Sequence, residues 1–550
     1  MSFVKKYLTL NRIVGPIMIF LISIIIFTLL WSIDKGIDLA DEGLHFAFSK
    51  PETVNNNGLF NYDLFFKLLN KTVKFEFDVI SLRAIKLVSI VLLFILGIPF
   101  FRRSNFSILD KFFLAIAIFC SYTYLTQSLS YNMISFILVL SYFYSYSYAT
   151  KASPFRQNML YVVMAILSSL CYFVKPPLSL AILGITFVLS VVNFSKIVWK
   201  QLLFRFVVIS LGYLLIQLLF QLIFPDYSFV KVLKDSIDLS TYYGAYNKSV
   251  LIKRVVASFK WVFVLGLAGW CIAILFNKRK NHFKWIILSL SIIVASVSYF
   301  FISHLSSKEF DVFQYGLMII TSIGIGFFGY HLQWKSLTKQ DISILILLFL
   351  APFLCSFGSN VYFFRTTQQY LFFWVLLLVY CKTIGLPISK NILLTWYLIF
   401  SIFITIKIYD NVVRNPDNQP KLSANFIDFK YGNDNHIKLD KDQAQYLIFL
   451  KEKLHKWSPN RKEVIGLYAM PGDIVLTGFT NYYNPLIWDN FQWNFLRNRM
   501  QNNSEFRDKT MPILITKDLD KIQRQQLKGY QEVDSVKYYR NGYIYVFKPL

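Results

Sequence analysis

Four carboxylates lie within the short stretch from residue 34 to residue 42: Asp34, Asp38, Asp41 and Glu42. This stretch follows an apolar, uncharged run over residues 15–31, which is long enough to cross most of a bilayer core. If the stretch is helical, spacings of three and four residues place the three aspartates on one face. A carboxylate held there can take a proton from a hydroxyl group as a general base. The alternative interpretation is a solvated acidic loop.

Three cations lie at the predicted outer ends of apolar spans, against the charge bias that orients membrane proteins. Arg83 opens the second span, Lys175 precedes Pro176 at the end of the fifth, and Arg365 lies in a later outer loop. Lysine and arginine can bind a phosphate and stabilise it as it departs. We therefore expect these three side chains to face a common outer cavity, although Arg83 alone could be an interfacial anchor.

The composition is that of a multi-span membrane protein. Of 550 residues, 55% are hydrophobic and only 16% are charged, and the mean hydropathy is +0.47. A soluble chain of this length carries more charge. The net charge of +26 could indicate nucleic-acid binding, but the lysines and arginines lie in short loops between apolar segments, as membrane orientation requires. We expect membrane lipids, and no nucleic acid, among the partners.

The apolar segments predict an α-helical fold with about thirteen membrane crossings. These segments lie near residues 13–33, 82–101, 110–126, 132–149, 158–174, 177–194, 202–224, 254–276, 284–303, 314–332, 341–358, 369–386 and 391–409. With the N-terminus in the cytoplasm, every inner loop is basic and almost free of acid, and the acidic loops fall outside. An odd number of crossings then puts the C-terminal tail outside the plasma (inner) membrane.

The chain divides at residue 409 into two predicted domains. Residues 1–409 form the transmembrane domain, whose long outer loop, 34–81, mixes aromatic and lysine residues as interface helices do. Residues 410–550 predict a small extracytoplasmic α/β domain. Its predicted elements are a helix over 440–457, strands over 463–468, 474–477 and 513–516, and a hairpin of 536–539 and 543–547 around Asn541-Gly542.

This arrangement resembles the GT-C superfamily of integral-membrane glycosyltransferases, which includes protein O-mannosyltransferases and the lipid A aminoarabinose transferase. The resemblance is carried by four motifs: Asp38-Leu39-Ala40-Asp41-Glu42-Gly43, Ser81-Leu82-Arg83, Phe173-Val174-Lys175-Pro176, and Met470-Pro471-Gly472 with Trp488. The chain departs from the aminoarabinose transferases at Gly43-Leu44-His45, where they carry a Gly-Arg-Tyr-like stretch. The sugar and the acceptor are therefore left open.

The resemblance implies transfer of a sugar from a polyprenyl-phosphate donor to a hydroxyl of a glycan, lipid or protein acceptor, with inversion of the anomeric centre. Asp41 is then the general base, and Glu42 and Asp38 are the other catalytic candidates. Lys175, Arg83 and Arg365 would hold the donor phosphate. A divalent metal ion is left open as a cofactor, with Glu42 or His304 as its ligand, although Glu42 could instead orient a partner.

Two other classes of protein are compatible with this pattern. One is a lipid-linked glycan flippase or polymerase, but a flippase should carry charged residues in mid-span, and the predicted spans are nearly bare of them. The other is a non-catalytic membrane assembly protein, which should tolerate alanine at Asp41. The chain has no phosphate-cradling glycine loop and no nucleotide fingerprint, which fits a donor delivered by a lipid.

The charge pattern predicts that the C-terminus lies outside the cytoplasm. A reporter enzyme that is active only in the cytoplasm should therefore be silent when fused after Leu550. The same reporter inserted after Arg103, in a predicted inner loop, is the positive control. An active C-terminal fusion would change the number of crossings by one and overturn the predicted orientation.

Overall fold

The computed structural model describes most of the chain. The described residues are 2–55, 60–124, 126–150, 152–193, 199–242, 248–276, 312–357, 366–384, 390–414, 425–431, 435–460, 462–482, 485, 487, 493–494, 512–517, 527, 530–539 and 542–550.

Helices dominate the part of the chain before the tail. In chain order, α1 to α15 are Ser2–Ser32, Asp41–Ser49, Asp63–Val73, Val79–Arg103, Ile108–Ala117, Tyr131–Ala149, Pro154–Val174, Pro176–Asn193, Trp199–Ile223, Phe229–Tyr242, Lys248–Phe276, Val312–His331, Lys339–Ser356, Phe372–Thr383 and Lys390–Tyr409. The predicted outer loop 34–81 thus contains two short helices, α2 and α3. Their location at a membrane interface stays a prediction.

Six of the described helices are long and apolar enough to cross a membrane, so a membrane-embedded helical protein is confirmed. Their candidate spans are Ile13–Ser32, Val79–Arg103, Pro154–Val174, Phe204–Ile223, Lys339–Ser356 and Ile392–Val413. Four shorter apolar helices accompany them: Pro176–Leu189, Trp261–Leu275, Tyr315–His331 and Phe372–Thr383.

The predicted count of thirteen crossings is not supported and is corrected here. The segment 110–126 forms α5, with only ten residues, followed by a 3₁₀ helix over Ile118–Tyr122. The ten α-helical and five 3₁₀ residues together rise only about 25 Å, which is short of a hydrocarbon core of about 30 Å. The segment 132–149 is helical but rich in serine and tyrosine, which lowers its hydropathy. The segment 284–303 lies outside the described residues.

Within its described residues, the tail contains two sheets and two helices. Strands β1 (Phe426–Tyr431) and β2 (Asn435–Asp440) form an antiparallel pair. The second sheet has the strand order β4-β3-β5-β7-β6, in which β3 runs parallel to β4 and β5, and β7 runs antiparallel to β5 and β6. The remaining elements are α16 (Lys441–Trp457), β3 (Glu463–Leu467), α17 (Pro471–Leu476), β4 (Thr480–Asn481), β5 (Ile513–Thr516), β6 (Tyr530–Lys537) and β7 (Tyr543–Pro549).

Most of the predicted tail elements are confirmed. Helix α16, strands β3 and β5, and the β6–β7 hairpin all lie where the sequence places them. The predicted strand over 474–477 is wrong, because this segment belongs to α17. Pro471 opens that helix, Asp473 lies in its first turn, and Gly478 follows it with φ of +84°. These helix-boundary signals outweigh the β-branched residues between them.

The tail is docked directly onto the acidic stretch that follows α1. The Lys438 N–H donates to the Asp34 carbonyl oxygen (2.8 Å), and the Gly36 N–H donates to the Lys438 carbonyl oxygen (2.8 Å). The Lys438 ammonium also pairs with the Asp34 carboxylate at 2.6 Å. Strand β2 therefore continues across the domain boundary as a short parallel bridge to residues 34–36.

This docking constrains the number of crossings. Because the stretch after α1 contacts the tail, the two lie on the same side of the membrane. An even number of crossings must then separate them. Five of the six long candidate spans lie between them. If all five cross, at least one further segment must cross as well, either a shorter apolar helix or a segment outside the described residues.

Candidate functional site

Arg83 is positioned by the start of α4. The Asp78 carboxylate accepts the Ser81 N–H at 2.6 Å, and the Ser81 hydroxyl accepts the Asp78 N–H at 2.8 Å. This reciprocal capping box fixes where the helix begins. Arg83 consequently projects from the first turns of α4 toward the end of α1.

The guanidinium of Arg83 is bound on all sides by protein oxygens. Its Nε and Nη2 donate to the two oxygens of Glu42 at 2.8 and 2.7 Å. The remaining donors reach the carbonyl oxygens of Ser32 (3.1 Å), Ile33 (3.1 Å), Lys35 (2.9 Å) and Gly36 (2.6 Å). The side chain is 2% exposed. In this conformation the N–H groups of Arg83 are directed to protein oxygens, and its predicted contact with a donor phosphate stays a prediction.

The carboxylate of Glu42 is likewise fully buried and hydrogen-bonded to the protein. Besides Arg83, its carboxylate accepts hydrogen bonds from the Ser128 hydroxyl and from the Asp38 N–H (3.4 Å). Burial acts to raise the pKa of Glu42, but the charge and hydrogen bonds of Arg83 outweigh it and lower that pKa. Between binding a metal ion and orienting a partner, the contacts of Glu42 favour orienting a partner, and its predicted catalytic role stays a prediction.

Asp38 shapes the turn that leads into α2. Its carboxylate oxygens accept the N–H groups of Ala40 (3.0 Å) and Asp41 (3.1 Å), and its carbonyl oxygen accepts the Gly43 N–H (2.8 Å). Burial and the neighbouring carboxylates of Asp41 and Glu42 raise the pKa of Asp38. Asp38 is therefore a turn-forming residue, and its backbone bonds fix the position of Asp41.

Asp41, the first residue of α2, is the most accessible of these three carboxylates. It interacts electrostatically with the hydroxyls of Tyr62 and Tyr131. One turn later on the same face, the His45 Nδ1 lies 2.7 Å from the Tyr62 hydroxyl. The His45 ring also meets the Tyr131 ring edge-on, with centroids 5.8 Å apart. Asp41 thus opens onto a small cluster of polar aromatic side chains.

Lys175 approaches the same cluster from the end of α7. Its ammonium donates to the Asn132 side-chain oxygen at 3.0 Å and to the Cys355 carbonyl oxygen at 2.8 Å. It also lies over the Tyr131 ring, 5.1 Å from the centroid. The Tyr370 hydroxyl donates to the same Asn132 oxygen at 3.0 Å. Helices α6 and α13 therefore both contact this lysine, and Tyr370 is linked to it through Asn132.

Tyr131 is the point at which the predicted base and the predicted phosphate ligand come together. Asp41 acts on its hydroxyl, and Lys175 lies against its ring. The structure thus brings Asp41, Asp38, Glu42, Arg83 and Lys175 into one region. Arg365, His304 and Trp488 lie outside the described residues, so their predicted roles stay predictions.

Several residues of this site were not found from the sequence: Tyr62, Ser128, Tyr131, Asn132 and Tyr370. One signal was present, because Ser130 precedes an apolar run and caps α6 by accepting the Met133 N–H at 3.2 Å. That cap places Tyr131 and Asn132 in the first turn of α6. The spacing of Lys86 was another signal. Lys86 follows Arg83 by three residues, which places both cations on the same face of α4.

Lys86 is a second buried cation on α4, 2% exposed. Its ammonium donates to the carbonyl oxygens of Thr126 (2.7 Å) and Ser121 (3.3 Å) and lies 4.1 Å from the centroid of the Tyr122 ring. These contacts hold the 3₁₀ helix and the segment that leads to Ser128. Lys86 thereby supports the partner that donates to Glu42.

Comparison of the chain with protein-family models and with curated proteins gives no match. Among the described residues, no group of three or more His, Cys, Asp or Glu side chains is arranged to hold a metal ion. A divalent cofactor accordingly stays a prediction.

Replacing Arg83 by alanine should destabilise the protein strongly, because it leaves the Glu42 carboxylate buried without its counter-charge. Breaking a buried ion pair on one side typically costs about 3–5 kcal/mol. The free energy of unfolding of the detergent-solubilised protein measures this loss. Arg102→Ala, at the exposed end of the same helix, is the matched control and should change little. Equal stability of the two variants would show that Arg83 is not the structural anchor.

His45 predicts an acid-sensitive contribution to stability. Burial holds the pKa of His45 at about 3 in the folded protein, below its unfolded value of about 6.5. Neutral His45 therefore stabilises the fold above about pH 6.5, and this contribution is lost as the pH falls toward 3. His45→Gln can keep the bond to Tyr62 but does not titrate.

The unfolding free energies of wild type and His45→Gln should therefore diverge on acidification. From about pH 7.5 to about pH 5.5, wild type should lose about 1.4 kcal/mol relative to the variant. The raised pKa of Asp38 acts in the opposite direction, but it is present in both proteins and cancels in the comparison. Parallel pH curves would contradict the assignment of a neutral, buried His45.

Proposed function

We propose that this protein is a membrane-embedded transferase whose reaction takes place at the ends of its helices, beside the docked tail. Its site combines one accessible carboxylate with one buried ammonium group. A carboxylate can accept a proton from an attacking hydroxyl, and an ammonium group can stabilise an anionic leaving group. These are the two demands of group transfer from a phosphate.

More narrowly, we propose a glycosyltransferase that uses a polyprenyl-phosphate sugar, similar in kind to the GT-C enzymes. A lipid-linked donor suits a site at the membrane boundary, since the prenyl chain can stay in the bilayer while the phosphate reaches the helix ends. The proposed face is the outer one of the plasma membrane, which rests on the basic inner loops of the sequence. The sugar and the acceptor stay open.

The observation that carries this proposal is the convergence of Asp41 and Lys175 on Tyr131. The two residues are far apart in the chain. The sequence analysis predicts Asp41 as a general base and Lys175 as a phosphate ligand, on separate grounds. In the fold, one acts on the Tyr131 hydroxyl and the other on the Tyr131 ring. A base and a phosphate ligand that both act on the same tyrosine can flank a sugar's anomeric carbon.

The reaction then proceeds as an in-line displacement. The acceptor hydroxyl loses its proton to the Asp41 carboxylate while its oxygen bonds to the anomeric carbon. The bond from that carbon to the phosphate oxygen breaks, and its electron pair leaves with the polyprenyl phosphate. Lys175 stabilises the phosphate, and the proton on Asp41 passes to water. Because attack and departure occur on opposite sides, the anomeric centre is inverted.

The remaining charged residues support this arrangement. Arg83 and Glu42 hold the end of α1 against the start of α2, and Asp38 turns the chain so that Asp41 faces the tyrosines. Of the cations within α4, Arg83 and Lys86 are directed to protein oxygens. Their contacts therefore give no specific support to a flippase.

The test is donor consumption by the purified protein in liposomes. A panel of radiolabelled polyprenyl-phosphate sugars is supplied, and release of polyprenyl phosphate is measured with membrane extract as the source of acceptor. Wild type should consume at least one donor. Asp41→Asn, which keeps the shape but removes the basicity, should slow this by about 10²- to 10⁴-fold.

The same assay separates the two roles. Lys175→Gln should lower donor use by roughly ten- to a hundredfold, the loss of one charge-assisted phosphate contact of about 1.5–3 kcal/mol. Asp428→Asn and Lys71→Gln, at exposed positions, are the matched controls and should retain activity. If wild type consumes no donor of the panel, or Asp41→Asn keeps full activity, the proposed function or the proposed base is wrong.

A further inference from the structure

Two glycines from distant parts of the chain meet beside the acidic turn. Gly43 belongs to α2 and Gly472 to α17 of the tail. A Cβ atom built on Gly43 would lie 2.6 Å from the Gly472 nitrogen, and one built on Gly472 would lie 2.6 Å from the Leu39 carbonyl oxygen. Real Cβ atoms do not approach backbone atoms so closely. Only glycine fits on either side of this contact.

The contact is also a hydrogen bond. The Gly472 N–H donates to the Leu39 carbonyl oxygen at 2.9 Å. Leu39 lies inside the turn that Asp38 closes through the N–H groups of Ala40 and Asp41. The tail therefore binds the backbone of the turn that carries the proposed base. It does so within two residues of Asp41.

The tail side of this contact is itself held in place. The Tyr446 hydroxyl of α16 donates to the buried Asp473 carboxylate at 2.6 Å, next to Gly472. From the same helix, the Gln443 side chain donates to the Ile37 carbonyl oxygen at 3.1 Å. Helix α16 thus braces α17 and the acidic turn together.

The backbone that enters α17 points to the same constraint. Tyr468 and Ala469 adopt positive φ values of 64° and 58°, a conformation that costs energy for residues other than glycine. The Lys517 ammonium donates to the Ala469 carbonyl oxygen at 3.1 Å. The strained residues lie where the chain turns from β3 into α17, the helix that contacts Gly43.

From this contact we infer that Gly472 is a positioning residue for Asp41, and that the tail is an integral part of the active site. This inference rests on the proposed function. The tail fixes the Asp38–Asp41 turn, so that the Asp41 carboxylate faces Tyr131 and the acceptor. Lys175 and its hydrogen-bond partners, Asn132 and Cys355, lie on other helices, so we expect this contact to leave the Lys175 ammonium in place.

The inference predicts a specific kinetic signature. Gly472→Ala must displace the Leu39 carbonyl and shift the acidic turn, so the kcat for donor consumption should fall about 10- to 100-fold. The KM for the donor should stay within about twofold, because Lys175 is not moved. Gly184→Ala is the control, since a Cβ there would meet nothing within 4 Å.

A second variant covers the case in which Gly472→Ala does not fold. Tyr446→Phe keeps the buried ring and removes only the bond to Asp473, so it should insert normally and lower kcat in the same direction. Hydrogen exchange of the intact protein gives a readout that is independent of activity. Both variants should speed exchange of the backbone amides of residues 36–43, and Gly184→Ala should not.

The outcomes separate this inference from the proposed function. If Gly472→Ala or Tyr446→Phe folds with wild-type kcat, or raises the donor KM instead, the inference is wrong. Lower kcat with unchanged exchange over 36–43 would also overturn it. If wild type consumes no donor or Asp41→Asn keeps full activity, the proposed function fails, while the exchange experiment still reports whether the tail holds the turn.

Discussion

A buried guanidinium needs an acceptor for each of its N–H groups, and that requirement shapes the centre of this protein. Arg83 meets it with the carboxylate of Glu42 and with carbonyl oxygens of the chain that leaves α1. An unpaired charge in this position would be strongly destabilising. The end of α1, the start of α4 and helix α2 are therefore tied to one side chain, and the position of Asp41 follows from theirs.

Three neighbouring carboxylates acquire three roles from their surroundings. Glu42 is paired with a cation, which keeps it charged. Asp38 is buried beside other carboxylates and is used to close a turn. Asp41 keeps access to the site and acts on the two tyrosines. Environment, rather than residue type, distinguishes the proposed base, Asp41, from its neighbours.

The sequence could predict features that depend on local pattern. Charge and apolarity identify the membrane class, and the positions of Asp41 and Lys175 beside apolar spans mark them as site candidates. Helix α16 and the β6–β7 hairpin follow from periodicity and turn residues. The number of crossings was less predictable, because a length rule treats the ten-residue helix α5 and the polar helix α6 as full spans.

Pairings between distant residues could not be predicted. A cation at the end of a span has the same local pattern whether it binds a phosphate or a buried carboxylate, so the partnership of Arg83 with Glu42 was hidden. The meeting of Gly43 with Gly472 was hidden for the same reason, since glycines in short helices carry no signal of close approach. The cluster of Tyr131 and Asn132 depends on how α6 packs against the end of α7.

The most direct measurement of the central claim is an experimental structure of the protein with polyprenyl phosphate bound. The account predicts a phosphate oxygen within about 2.7–3.2 Å of the Lys175 Nζ, with the Asp41 carboxylate across the space where the sugar would lie. A phosphate bound out of reach of Lys175, or an Asp41 carboxylate turned away from that space, would contradict it.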